Sequence, residues 1–168
     1  VCGLLFHSVI EDTLRSPLVI AATTILFGLL LLLADRYGRH VRNSDSLGIR
    51  DAVLVGLAQA VALVPGTSRS GITMTAGLAL GLTRTDAARF SFLLSIPTIL
   101  MAGGYEGLKL LNHDGPVHWD AILLGTFVSA VSAWLCIHFF LRLIERIGMW
   151  PFVAYRLVLG GLLLWVFM

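Results

Sequence analysis

Pro65-Gly66-Thr67-Ser68-Arg69-Ser70-Gly71 breaks an apolar run between Ala52 and Leu82, and the two pieces it leaves decide the fold. Ala52 to Val64 is apolar for thirteen residues and Gly71 to Leu82 for twelve. As helices rising 1.5 Å per residue, each reaches about 20 Å at most, short of the roughly 30 Å of a bilayer core. Proline cannot continue a helix and glycine commonly ends one, so the heptapeptide reads as an irregular apex between two short helices. Residues 51–82 are expected to form a re-entrant helical hairpin that carries the working site.

The flanking sequence has a different length scale. Ser16 to Ala34 contains nineteen residues without a charge, enough for one crossing. Asp35 to Arg50, with Arg36, Arg39, Arg42 and Arg50 among Gly, Asn and Ser, reads as a loop. Phe90 to Leu111 is a second span, kinked at Pro97 and polar only at Glu106 and Lys109 near its end. Asn112 to Asp120 is a turn around Gly115-Pro116, and Ala121 to Leu141 supplies a third span of twenty-one uncharged residues. Arg142, Glu145 and Arg146 read as a short polar link before a fourth span, Trp150 to Met168, whose Trp150 and Trp165 suit the membrane interfaces. Placing the three basic loops on the cytoplasmic side requires an even number of crossings between Arg50 and Arg84, which a hairpin that enters and returns satisfies. The expected fold is an all-α integral membrane protein of about four transmembrane helices plus one re-entrant hairpin, with residues 1–168 as a single transmembrane fragment.

Composition agrees and closes off other classes. With 57% hydrophobic and 13% charged residues the chain is too apolar for a soluble domain of 168 residues. The net charge of +2 is dispersed among loops, so no nucleic-acid partner is expected. Cys2 and Cys136 lack the spacing of a disulfide framework or a zinc site. The start, Val1-Cys2-Gly3-Leu4-Leu5-Phe6, lacks the features of a signal peptide and reads as the interior of a longer protein.

The apex needs a reason to lie at membrane depth. Unpaired backbone groups there cost several kcal/mol each unless protein or a wet cavity satisfies them. An arginine at the centre of a span costs about 3 kcal/mol on insertion scales and marks a site that wants a partner. No acidic residue lies within ten positions of Arg69 on either side, so its partner is expected to be a ligand or a carboxylate from elsewhere in the fold. Thr67 or Ser68 can cap the second short helix, which leaves its first N–H groups and the positive end of its dipole facing outward. Such an end is an anion socket. Arg69 adds a planar fork for two phosphate oxygens, Thr73 shares its helical face, Ser68 and Ser70 add hydroxyls, and Gly66 and Gly71 allow close backbone approach. The P-loop pattern fails because Ile72 stands where its lysine belongs, and the serines do not match a nucleophile elbow. Small residues such as Ser70, Thr75 and Gly77 have an alternative use in close helix packing.

Other polar residues carry less. Glu11 and Asp12 read as a solvated loop end, and His7, His113, His118 and His138 lack ligand spacing. Glu106 and Lys109, three apart, read as a helix-face ion pair.

The stretch from Gly56-Leu57-Ala58-Gln59-Ala60 through Pro65-Gly66-Thr67-Ser68-Arg69-Ser70-Gly71-Ile72-Thr73 closely resembles the bacterial undecaprenyl-diphosphate phosphatase family, also known for bacitracin resistance. The likeness continues through Leu82-Thr83-Arg84-Thr85-Asp86-Ala87-Ala88-Arg89-Phe90-Ser91-Phe92-Leu93-Leu94-Ser95-Ile96-Pro97 and covers nearly the whole chain. It implies hydrolysis of undecaprenyl diphosphate to recycle the carrier lipid of cell-wall synthesis, in the bacterial inner membrane. It also implies half of an inverted-repeat fold, with Ser68, Arg69 and Thr73 as catalytic residues and Gln59 at the place that looks like the counterpart of an acidic position in the first repeat. Gly66, Thr67, Ser70 and Gly71, which build the anion socket, and Gln59 are expected on the substrate. An acidic motif expected in the other half would act as base or hold a divalent cation such as Mg or Ca. The expected partners are the polyprenyl diphosphate lipid and the bilayer, and a homodimer is among the expected assemblies. A transporter or flippase for an anionic lipid or solute is the rival reading, because broken helices meeting at the bilayer midplane also serve transport.

Overall fold

The computed structural model describes residues 16–111 and 119–167. Cys2, His7, Glu11, Asp12, His113 and His118 lie outside the described residues. Among the described residues six α-helices run in order: α1 (Pro17–Tyr37), α2 (Ile49–Val61), α3 (Arg69–Ala79), α4 (Arg84–Leu111), α5 (Trp119–Ile147) and α6 (Trp150–Phe167), with a 3-10 turn at Ser44–Ser46 before α2. α1, α4, α5 and α6 are long and apolar enough to cross a membrane. α2 and α3, with 13 and 11 residues, are not. The all-α membrane architecture follows from the chain's apolar spacing, and the short helices fall on either side of the expected apex.

Helix ends depart from the expected boundaries where tertiary contacts extend them. α1 continues past Ala34 to Tyr37 because Asp35 is held by Arg84, whose Nε lies 2.6 Å from Oδ1, while the ring of His40 meets the Asp35 carbonyl oxygen at 2.8 Å. α5 runs through Arg142, Glu145 and Arg146, so these form the last turns of a helix and not a link. Ile144 is fully buried between them, and Thr85 donates to Glu145 at 2.9 Å. α4 begins at Arg84, six residues before the apolar run, because Thr83 Oγ1 accepts from the Asp86 N–H at 3.2 Å and donates to its carboxylate at 2.7 Å. Pro97 sits inside α4, which continues past it to Leu111. α2 begins at Ile49, with Asp51 accepting from the Gly48 N–H at 3.2 Å and from Arg42 at 2.6 Å. The Arg42 hydrogen bond, seconded by Gly48, holds the Asp51 carboxyl below its ordinary range.

The core lies at one end of the helix set. Leu31, Met74, Leu78, Leu82, Ala87, Ala88, Ile144, Met149 and Val153 form one buried cluster drawn from α1, α3, α4, α5, α6 and their connections. The same end is stitched by backbone hydrogen bonds between the loop after α1 and the turn after α3, with Val41 and Arg42 N–H groups donating to Gly81 and Thr83 N–H to Arg42. α1 packs along α6 and α3, and α3 packs on α2 and α4, which puts α3 at the centre of the arrangement. α5, by contrast, is exposed along most of its length. Bulky apolar groups such as Phe127, Trp134 and Phe139 stand outward there, as lipid-facing residues do. His138 stacks on Trp134 with ring centroids 6.0 Å apart.

Candidate active site

Gly66 has φ +87°, a region that glycine enters without steric cost. The turn it makes lays the apex against the N-terminal half of α1, at Ile20, Thr23 and Thr24. A Cβ at this position would stand 2.6 Å from the Ile20 carbonyl oxygen and closer still to Thr23 Oγ1. Gly66→Ala is therefore expected to lower the melting temperature in detergent by several degrees, because unfavourable φ and overlap with α1 act together. An unchanged melting curve would show that the apex is not pinned there.

Two carbonyls of the irregular apex, those of Pro65 and Gly66, have identified partners. Thr23 Oγ1 donates to the Pro65 carbonyl at 2.7 Å, and Thr24 Oγ1 donates to the Gly66 carbonyl at 3.3 Å. Arg156, from the middle of α6, donates to the same Gly66 carbonyl through Nη2 at 2.7 Å and to the Thr24 carbonyl through Nε at 3.3 Å. Two mid-helix threonines and one arginine thus satisfy the apex oxygens in place of water.

Beyond the apex, Ser68 is the N-cap of α3, its Oγ accepting from the Gly71 N–H at 3.3 Å. It does so at φ +65° and ψ 117°, a conformation rare for a residue with a side chain. Strain of about 1–3 kcal/mol is usual for such outliers, which cluster at functional sites. Ser68 Oγ and Ser70 Oγ are 3.5 Å apart. The N–H groups of Arg69 and Ser70, in the first turn of α3, have no intrahelical acceptor, as at every helix start. Hydroxyls, free amides and the positive end of an eleven-residue helix therefore converge at one place.

That place is the polar end of a cavity of about 470 Å³. Gly66, Ser68, Ser70, Gly71, Thr24 and Arg156 line this end, and the remaining wall is apolar apart from the hydroxyl of Tyr155. Gly71 matters for its missing side chain, since a Cβ would meet Arg156 Nη1 at 3.2 Å. The expected residues divide accordingly. Gly66, Ser68, Ser70 and Gly71 are brought together at the cavity. Arg69 points to the opposite side of α3, where it donates to Gln59 Oε1 at 3.4 Å, the Leu94 carbonyl at 3.0 Å and Thr98 Oγ1 at 3.4 Å. All three acceptors are uncharged. Thr73 is buried against α4, with Oγ1 2.7 Å from Ser91 Oγ and 2.9 Å from the Arg69 carbonyl. Thr67 is fully buried, and its hydroxyl has no partner among the described residues.

Arg156 is the site residue that the sequence reading passed over. Its signal was present. It is the single charged residue between Trp150 and Met168, a guanidinium inside an apolar span as Arg69 is. Thr23 and Thr24 carried no comparable signal, because threonine is common in membrane helices.

Among the described residues no three His, Cys, Asp or Glu side chains gather to hold a metal ion. The polar end of the cavity presents N–H, O–H and guanidinium groups, which suit an anion and not a cation.

Residues 1–162 match the bacitracin resistance protein BacA family. An undecaprenyl-diphosphatase of Nitrosococcus oceani is 55% identical over 165 residues, which cover 98% of this chain and 62% of that protein. The undecaprenyl-diphosphatase of Teredinibacter turnerae is 60% identical over 161 residues, covering 96% of this chain and 61% of its own length. Undecaprenyl-diphosphatase 2 of Stutzerimonas stutzeri is 58% identical over 170 residues, covering 99% and 63%. The chain thus spans about three-fifths of the length of these curated relatives.

Proposed function

The chain belongs to the bacitracin resistance protein BacA family, and on that premise we propose that the full-length protein hydrolyses undecaprenyl diphosphate to undecaprenyl phosphate and inorganic phosphate, with this segment forming the phosphate-binding wall. The observation that carries the reading is a cavity whose polar end collects the α3 N-terminus, two serine hydroxyls and Arg156, and whose remainder is chiefly apolar. A lipid diphosphate has the same division.

In the reaction water adds to the terminal phosphorus, the bridging P–O bond breaks, and its electron pair leaves with the prenyl monophosphate. Such transfers are accelerated mainly by positioning and by stabilising charge on the phosphoryl oxygens. Arg156 supplies the fork that faces the cavity. The free amides of α3 and the Ser70 hydroxyl add hydrogen bonds to phosphoryl oxygens, and Gly66 and Gly71 let the phosphate approach the backbone. Ser68 serves as oxyanion donor, or as a nucleophile that takes the phosphoryl group first, in which case water adds to the resulting phosphoserine and breaks its P–O bond to release phosphate. Arg69, Thr73, Gln59 and Thr67 belong to the same site in this reading. Among the described residues Arg69 has only neutral acceptors, so from the far side of α3 its charge adds to the positive potential at the apex, while Gln59 holds its fork and Thr73 ties the helix turn beneath it to α4.

The base, and the ligands of any Mg or Ca ion, belong in this reading to the remaining two-fifths of the protein. Residence in the bacterial inner membrane and a homodimeric assembly belong to the same reading, with the exposed apolar length of α5 in support.

Phosphate release from undecaprenyl diphosphate in detergent tests the proposal. Release is expected from the full-length protein and not from the 168-residue chain alone. A transporter would instead move an anionic lipid across sealed vesicles and free no phosphate in detergent.

A further inference from the structure

Resting on the phosphatase reading, we propose that a slot formed by Met74, Phe140, Met149 and Phe152 binds the isoprene unit next to the diphosphate and selects unsaturated tails over saturated ones. The slot opens from the anion site. Along α6 and the residue before it, Met149, Phe152, Arg156, Leu159 and Leu163 line the cavity at steps of three and four residues, which is one helix face. Arg156 is the only charged group on that face and divides it into two limbs. The limb toward Leu163 is aliphatic. The limb toward Met149 is aromatic and sulfur-lined, and Phe152 lies about one helical turn, about 6 Å along the axis, from Arg156.

The aromatic limb is also rigid. Phe152 and Phe140 meet with ring centroids 4.9 Å apart, tilted by 55°, and Phe140 meets Phe92 edge-on at 5.6 Å. Met74 is 4% and Met149 1% exposed, and both belong to the buried core, so the slot is built before any ligand arrives. Protein interiors are otherwise close-packed, so an apolar space continuous with an anion site is room for the tail attached to that anion. Ring edges gain a specific attraction from the π electrons of a double bond, beyond the burial any hydrocarbon provides.

The test compares farnesyl diphosphate with its fully saturated counterpart, reading phosphate release by the full-length protein in detergent. The bond that breaks is the phosphoanhydride, remote from the double bond, so the two substrates have equal intrinsic reactivity and the ratio of kcat/KM values reports recognition. Wild type is expected to prefer the unsaturated substrate roughly tenfold, from about one aromatic contact's worth of attraction. In Phe152→Leu and Phe140→Leu the ratio should fall toward parity. Both substitutions keep an apolar side chain of moderate size, and a ratio measured within one preparation is insensitive to loss of folded protein. A wild-type ratio of one, or a preference that both variants retain, overturns the slot alone. Failure of wild type to release phosphate from either substrate overturns the phosphatase reading and the slot with it.

Discussion

Replacing Arg156 by alanine in the full-length protein is expected to lower kcat/KM for undecaprenyl diphosphate hydrolysis by about 10²–10³-fold, the usual cost of losing one preorganised donor to a developing oxyanion. The guanidinium has two tasks. Nη2 and Nε hold the Gly66 and Thr24 carbonyls, and Nη1 lies beside Gly71 at the cavity's polar end. Arg156→Lys separates the two tasks, because an ammonium keeps a positive charge but cannot bond the carbonyls and a phosphate in one plane. Lysine is therefore expected to recover part of the activity and to fall well short of wild type. Phosphate release by Arg156→Ala within a few-fold of wild type would remove Arg156 from the site and return the anion-binding task to Arg69.

The second large effect is on stability. Asp35 is 9% exposed and is gripped by Arg84 through two hydrogen bonds, at 2.6 and 3.2 Å, while the Met149 N–H donates to the same carboxylate at 3.4 Å. The pair joins the end of α1, the start of α4 and the turn between α5 and α6. Gly148 makes that turn at φ +70°, where a Cβ would stand 3.3 Å from Arg84 Cζ. Arg84→Ala leaves a carboxylate in the interior with only a backbone partner. Removing one member of a fully buried pair costs about 3–5 kcal/mol. Arg84 is 37% exposed, so solvent screens part of the interaction and about 2 kcal/mol is the expected loss. The melting temperature in detergent should fall by roughly 4–8 °C. Arg84→Ala and Asp35→Ala combined should lose less than the sum of the two single changes, because the second removes the stranded charge. Additive losses would show that the two side chains do not act as a pair.

The resemblance to a phosphatase family, read from the residues around Ser68 and Arg69, agrees with the match over residues 1–162 and with the named relatives. Hairpin limits and the parts played by single residues depend on more local physics. Helix periods and span lengths are properties of a contiguous segment, so four long helices, two short ones and an irregular apex could be read along the chain before any packing was known. Charged residues at helix ends were misread as loop because exposure decides the matter locally. Asp35 and Arg142 extend their helices only because Arg84 and the buried Ile144 pack where they do.

What the chain by itself determined is that it is a helical membrane protein with a broken-helix apex rich in hydroxyl, amide and guanidinium donors. Tertiary structure alone decided which side of α3 faces the cavity, and so which arginine meets it. Position 69 turns toward α2 and α4, while position 156, eighty-seven residues away, arrives beside Gly71 because α6 packs along α1. No local pattern encodes that meeting, since the direction of a side chain on a helix is set by the neighbours the helix acquires.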